Sequence, residues 1–464
     1  MLYERGRSTF AWRGRRSPTI ALLPGDGHVG DALYVSETLP AVVRRVFQKL
    51  KGLFEADHES PTYALVLSGG GARSAYQAGV LRYMSEAFPG TYFPILIGIS
   101  AGAINAAHLG NHTGSFRENA DHLVESWSGL QLENIVEVES GFSMLWSLLQ
   151  QQAPEEDGAL SSADVRRSHG LLNTTPLWNY LRDRLGAPEG ELTGVRKNLD
   201  DGQLQALAVI TTNYATGQTV TWVEGKDFDP WERPDRISFH ADLSVNHVMA
   251  STAIPLVFPA VRIRDAWHGD GSIRLAAPLA PAVHLGADRI LGISNRYSPS
   301  RSEADEPAVQ GYPPAAQIIG IMMNSIFIDA LNQDAVTLER VNKLVEELPP
   351  HKRHGMRPVD FLQLRPSVDL GRLAHDYESE IPSAFRFLTT GLGTRETESP
   401  DWLSVLLFEP AYIDRLLDIG YHDARRQHDR IARFLANGEG GSPSSDGSGA
   451  GAEATEEAAS SSVD

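Results

Sequence analysis

The run Phe93 to Ala107, FPILIGISAGAINAA, constrains this chain more than any other stretch. A short apolar segment ends at Ile97, and a helix-forming segment of small residues begins at Ala101. Between them lies Gly98-x-Ser100-x-Gly102. A strand that turns sharply into a helix has little room for side chains beside the turn, so glycines flank the serine. The turn lifts the Ser100 hydroxyl off the edge of a sheet. The helix behind it points its first N–H groups toward any negative charge that develops there. Ser100 is thus a candidate nucleophile. The pentapeptide alone is a common pattern, so the rest of the chain decides its meaning.

Upstream, Tyr63 to Leu67 is a strand candidate that enters Ser68-Gly69-Gly70-Gly71-Ala72-Arg73. Ser74 to Phe88 follows with Tyr76, Val80, Met84 and Phe88 at four-residue intervals beside Leu81, which predicts a helix with one buried face. Pro89-Gly90 ends it. The order strand, glycine loop, helix, strand, serine turn, helix predicts a parallel sheet with both loops at its C-terminal edge. The glycine loop fits phosphate poorly: a phosphate loop of the Walker type needs Gly-Lys-Ser/Thr, and Ser74 stands where a dinucleotide fingerprint needs its third glycine. It fits an oxyanion hole better, with N–H donors from Gly69, Gly70 and Gly71 joined by that of Ala101. Arg73 either holds the loop or adds positive charge.

A serine nucleophile needs a base. His284, His351, His354, His375, His422 and His428 lie downstream, none in a motif-like setting. Asp270-Gly271-Ser272 is a lone carboxylate in a glycine turn. Its plainer reading is an Asx turn. An aspartate can also serve as the base directly when it reaches the hydroxyl and burial raises its pKa. His268 is expected to be structural or on the surface.

Together these residues resemble the patatin-like phospholipase family. The matching blocks are LSGGGARSAYQAGVL (Leu67 to Leu81), GISAGAINA (Gly98 to Ala106) and ASTAIPLVFPA followed by HGDGSIRLAAP (Ala250 to Pro278). The resemblance covers about Ala64 to Ser294. It implies a three-layer α/β/α fold with a mainly parallel central sheet, and a Ser-Asp dyad without histidine. It also implies hydrolysis of ester bonds in phospholipids or other acyl lipids without a metal. Carried over by position, Ser100 is the nucleophile and Asp270 the base. Gly69, Gly70, Gly71 and Ala101 form the oxyanion hole, supported by Arg73, Gly98, Gly102 and Gly271. Two positions depart from the pattern: Ser74 follows the arginine where the family usually has glycine, and Ser272 closes a turn that usually ends in glycine or alanine. Ser74 opens the helix and can cap it.

The remaining chain divides by composition. Residues 1–60 read as a polar arm containing an amphipathic segment, Ala41 to Phe54; residues 61–298 as the catalytic domain; residues 315–436 as a helical C-terminal extension; and residues 437–464 as a disordered acidic tail. Strands are expected near Gln203 to Thr212, Gly217 to Val223 and Arg289 to Ser294, and a helix at Pro278 to Leu285. The apolar run Ile318 to Ile328 falls short of the roughly 20 residues of a membrane span and is expected to pack within the fold. The net charge is −18, of which the tail contributes six acidic residues and no Lys or Arg. So acidic a body argues against nucleic acid as a partner and against a broad electrostatic grip on anionic membranes. No cysteine is present, which excludes disulfides and thiolate chemistry. Thr19 to Leu23 is too short an apolar run for a signal peptide, so a cytoplasmic protein is expected, with transient contact at a lipid surface. Lipid is the expected substrate and no cofactor is called for. A phosphate-binding module and an inactive scaffold of the same fold are the competing readings.

Overall fold

The computed structural model describes residues 61–137, 172–226, 228–255, 257–305, 330–380 and 401–436. The amphipathic segment Ala41 to Phe54, the run Ile318 to Ile328 and the acidic tail lie outside these residues. Among those described, no helix is long and apolar enough to cross a membrane.

The sheet grows outward from the first two strands. β1 (Tyr63–Leu67) and β2 (Ile95–Ile99) are apolar throughout, and β2 is buried at every position. Such runs suit a parallel strand covered on both faces. They pair in parallel, joined by α1 (Ala75–Ala87), which is the helix its four-residue spacing predicts. β3 (Ala206–Asn213) lies parallel on the far side of β2. Between β2 and β3 the chain passes through α2 (Ala101–Asn111), α3 (Phe116–Ser128), α4 (Thr175–Arg184) and α5 (Thr193–Asp200). The chain then turns back at Asn213 to Gly217, and β4 (Thr219–Gly225) runs antiparallel to β3. β5 (Glu232–Arg233) and β6 (Arg236–His240) complete that side of the sheet.

After α6 (Val245–Ser251), the hairpin of β7 (Val261–Ile263) and β8 (Ala266–Asp270) reaches the upper end of β3, which β8 joins antiparallel. α7 (Ala280–His284) leads to β9 (Arg289–Ile293), which pairs in parallel with β1 on the side away from β2. α8 (Ala330–Glu347) then precedes β10 (Asp360–Leu364), the edge strand beside β9. β10 lies inside the stretch whose composition reads as helical, so the C-terminal region adds a strand to the central sheet as well as helices.

Side chains alternate across the sheet into two cores. Leu65, Leu67, Leu96, Leu207 and Val209 face α1, α2 and α3. Ala64, Val66, Ile97, Ala208 and Ile210 face Leu279 and Ala282 around α7 and Leu331 of α8. This is the three-layer α/β/α arrangement with a mainly parallel sheet.

The helical part of the C-terminal region comprises α9 (Leu370–His375), α10 (Asp401–Leu406), α11 (Pro410–Arg426) and α12 (His428–Leu435). α11 presses against α1 with almost no side chain between them. A Cβ on Gly79 would stand 2.0 Å from the Leu417 carbonyl oxygen, and one on Gly420 would stand 2.1 Å from that of Tyr76. Close backbone approach of this kind needs glycine at both crossing points. α11 also contributes the fully buried Tyr412, Ile413 and Leu416 to the core shared with α1.

Candidate active site

Register brings the predicted residues together. Leu67 of β1 stands opposite Gly98 of β2, so the glycine loop and the serine turn leave the sheet at one level. Ile99 stands opposite Ile210 of β3, which places Ser100 beside Thr211, and Thr211 is paired with Asp270 of β8. Four separate segments therefore meet at one edge.

Ser100 has φ 53° and ψ −132°, a left-handed backbone that non-glycine residues adopt only when their surroundings hold them there. Two bonds do so. The Ser100 N–H donates to Ser251 Oγ at 3.0 Å, and the Ser251 hydroxyl donates to the Ile210 carbonyl at 2.6 Å. The Ala103 N–H donates to the Ser100 carbonyl at 2.8 Å and begins the helical turn. Gly98 packs on the Ala103 Cα, and a Cβ on Gly102 would stand 2.2 Å from the Leu67 carbonyl oxygen. These contacts explain both glycines of the turn by crowding.

The Ser100 hydroxyl donates to Asp270 Oδ2 at 2.5 Å, with Ser100 4% exposed and Asp270 fully buried. The other carboxylate oxygen accepts the Ser272 N–H at 2.8 Å. The aspartate backbone is held as well: its N–H donates to the Ala253 carbonyl, and its carbonyl accepts from Thr212 Oγ1. Gly271 passes over the Ile210 carbonyl, where a Cβ would stand 2.2 Å away. Burial raises the Asp270 pKa to about 6, because water no longer solvates the charge. The bonds from Ser100 and from the Ser272 N–H pull in the other direction and are outweighed.

Among the described residues the bonded partner of the Ser100 hydroxyl is this carboxylate, and the downstream histidines lie elsewhere. His428 pairs with Tyr83, His284 stacks on Trp231, and His375 faces Glu378. His268 is not on the surface. It is buried, its Nδ1 is 3.0 Å from Thr211 Oγ1, and burial lowers its pKa to about 4, so the ring is neutral. It bonds Thr211, the residue paired with Asp270 across the strands.

The glycine loop sits against the serine. A Cβ on Gly69 would stand 2.8 Å from Ser100 Cβ. Gly70 lies against Asn295, and Gly71, at φ 55°, lies against the Val405 carbonyl of α10. Among the described residues no hydrogen bond occupies the N–H of Gly69 or Gly70. Ala101 opens α2 directly behind the serine. Arg73 does not project into this site. It is buried, and its Nε donates to Ser404 Oγ of α10 at 2.7 Å, so it ties the loop to the C-terminal region. An arginine held this way argues against the phosphate-binding reading. No group of three or more His, Asp or Glu among the described residues is placed to hold a metal ion.

Two supporting residues escape sequence reasoning. One is Ser251, described above. The other is Asn295, fully buried two residues beyond β9. Its Nδ2 lies within hydrogen-bond reach of the carbonyls of Ser68 (3.3 Å) and Gly69 (3.0 Å) and of Ser74 Oγ (2.9 Å). Ser74 thus occupies the N-cap position of α1 without making a side-chain cap bond; its hydroxyl serves the loop instead. A polar residue just past a buried parallel strand is the signal that could have pointed to Asn295. Beneath it, Gln77 bonds the Ser68 carbonyl and accepts from Asn105, which in turn accepts from Trp127. The loop therefore rests on a buried polar network, in which Asn295 Oδ1 has no partner among the described residues.

Residues 65–283 match the family model described as patatin-like phospholipase. No match is found among curated protein sequences. Among solved structures, VipD from Legionella pneumophila is similar at 14% identity and a TM-score of 0.34, over 80% of this chain and 67% of that one. Human GIVD cytosolic phospholipase A2, in complex with methyl gamma-linolenyl fluorophosphonate, is similar at 14% identity and a TM-score of 0.40, over 86% of this chain and 64% of that one. The chain thus spans about two thirds of the length of these proteins. Residues 65–283 are thus a patatin-like phospholipase domain.

Proposed function

We propose that the protein is a serine acyl hydrolase that cleaves carboxylic ester bonds of phospholipids or related acyl lipids with a Ser100–Asp270 dyad. The observation that carries this reading is the buried 2.5 Å bond between the serine hydroxyl and a carboxylate of raised pKa. Ser100 Oγ attacks the ester carbonyl carbon as its proton passes to Asp270. The carbonyl oxygen becomes an oxyanion, received by N–H groups of the Gly69–Gly71 loop and of Ala101 at the start of α2. Collapse of this intermediate breaks the ester C–O bond, and the leaving alcohol takes the proton from Asp270. Water then hydrolyses acyl-Ser100 with Asp270 again as base. Lipid is presented at a surface, so contact with that surface is transient and belongs to the catalytic cycle.

The test is fatty-acid release from mixed phospholipid vesicles, with a soluble short-chain ester alongside. Asp270 acts as a base only when ionised, and its pKa is about 6. The kcat/KM for the soluble ester is therefore expected to be flat above about pH 7 and to fall about tenfold per unit well below pH 6. A profile flat down to pH 4 would contradict Asp270 as the base. Absence of hydrolysis of either substrate would contradict the reading as a whole.

A further inference from the structure

Ser272 carries a hydroxyl that the fold itself does not use. The residue is 5% exposed, and its Oγ has no hydrogen-bond partner among the described residues. An orphaned buried hydroxyl costs about 1–3 kcal/mol, so its retention calls for an explanation. Its position supplies one. The point where a Cβ on Gly69 would stand is 2.8 Å from Ser272 Oγ and also 2.8 Å from Ser100 Cβ. The hydroxyl and the nucleophile therefore border the same space in front of Gly69. The hydroxyl also lies beside the Asp270 carboxylate and favours its ionised form as a side-chain donor does. The Ser272 backbone is fixed by its N–H bond to Asp270 Oδ1, so the side chain is carried by the base itself.

We infer that the Ser272 hydroxyl is a further catalytic group that orients the water which hydrolyses acyl-Ser100. The inference rests on the acyl-serine reading above. When Ser100 is acylated, its Oγ no longer has a proton to give, and Asp270 Oδ2 loses its donor. A water taking that place donates one proton to Oδ2. Its second O–H needs an acceptor, and Ser272 Oγ is a buried acceptor without a partner. Held at both protons, the water turns a lone pair toward the acyl carbon. Its oxygen bonds to that carbon and one proton moves to Asp270. The bond from carbon to Ser100 Oγ then breaks, Ser100 takes the proton back, and a carboxylic acid leaves.

Attack by an alcohol is different. An alcohol has a single O–H, which goes to Asp270, so it does not need Ser272. Replacing Ser272 is therefore expected to slow hydrolysis selectively. The experiment compares wild type with Ser272→Ala on a short-chain p-nitrophenyl ester. It measures the pre-steady-state burst, the steady-state rate and the methanolysis-to-hydrolysis ratio in added methanol. The rate of labelling by a fluorophosphonate reports the attack step alone.

The variant is expected to label at the wild-type rate and to show a clear burst. Its steady-state hydrolysis should fall about tenfold, as expected for one lost hydrogen bond, and its methanolysis ratio should rise by a similar factor. An unchanged steady state and ratio would overturn the inference. So would labelling that slows in step with turnover, because the hydroxyl would then serve the first attack or the shape of the site. A wild type that neither labels nor turns over would overturn the acyl-serine reading, and this inference with it.

Discussion

Asp270→Asn is expected to remove nearly all turnover, about 10⁴-fold or more, and at the same time to make the protein more stable at neutral pH. The first effect follows from the loss of the proposed base, which lies 2.5 Å from the Ser100 hydroxyl. The second follows from the direction of the pKa shift. The folded-state pKa is raised from 3.8 to about 6 by burial, so at pH values between these the unfolded chain is ionised more readily than the folded one. Ionised Asp270 therefore opposes folding. The opposition is absent below about pH 4, grows as pH rises toward 6 and is constant above it. Its size is on the order of 2–3 kcal/mol. Asparagine keeps an acceptor for the Ser272 N–H and carries no charge. Denaturant midpoints of wild type and variant should coincide near pH 4 and separate by pH 7, with the variant higher. A variant that is less stable at pH 7 would contradict the raised pKa. Catalytic groups held at the expense of stability are a familiar feature of active sites.

The second large effect concerns the C-terminal region. A chain ending at residue 298, after the last residues that resemble the family, is expected not to fold. Such a truncation removes β10 from the side of β9 and strips α11 from α1. It deletes the fully buried Tyr412, Ile413 and Leu416, each of which contributes about 1.5–3 kcal/mol when buried. Three such side chains are already comparable with the 5–15 kcal/mol that holds a typical domain together. It also removes Ser404, which holds Arg73, and the Val405 backbone on which Gly71 rests. The truncated chain should be aggregated or should lack a cooperative thermal transition. A soluble truncated protein with a sharp transition and a reactive Ser100 would make residues 299–464 a separable accessory.

Local pattern carried much of this structure in the sequence. The apolar runs of β1 and β2, the four-residue spacing of α1 and the turn at Asn213 to Gly217 are features of adjacent residues, and each appears where its pattern places it. Ser100 was legible because its constraint is local: crowding at the turn dictates the glycines around it. Asp270 was legible only as a carboxylate in a glycine turn. Its meaning depends on the pairing of β8 with β3, which brings it within 2.5 Å of a serine 170 residues away. Ser251 and Asn295 were not legible for the same reason. Asn295 stands in no motif, Ser251 lies in a matching block with no role attached to it, and each acquires its role from register across strands distant in the chain. Arg73 shows the limit most plainly. Its place beside the glycine loop left two readings, holding the loop or adding charge, and only the structure supplies the partner, Ser404, 331 residues away. β10 was hidden because an edge strand of five residues, flanked by prolines at 358 and 366, leaves a weak signal within a helical stretch.

The central claim is that Ser100 is an activated nucleophile. Labelling by a fluorophosphonate, wild type beside Ser100→Ala, with the modified peptide identified by mass spectrometry, tests it most directly. The account predicts stoichiometric labelling at Ser100 in the wild type and none in the variant. Equal labelling of the two proteins, or modification at another residue, would contradict it.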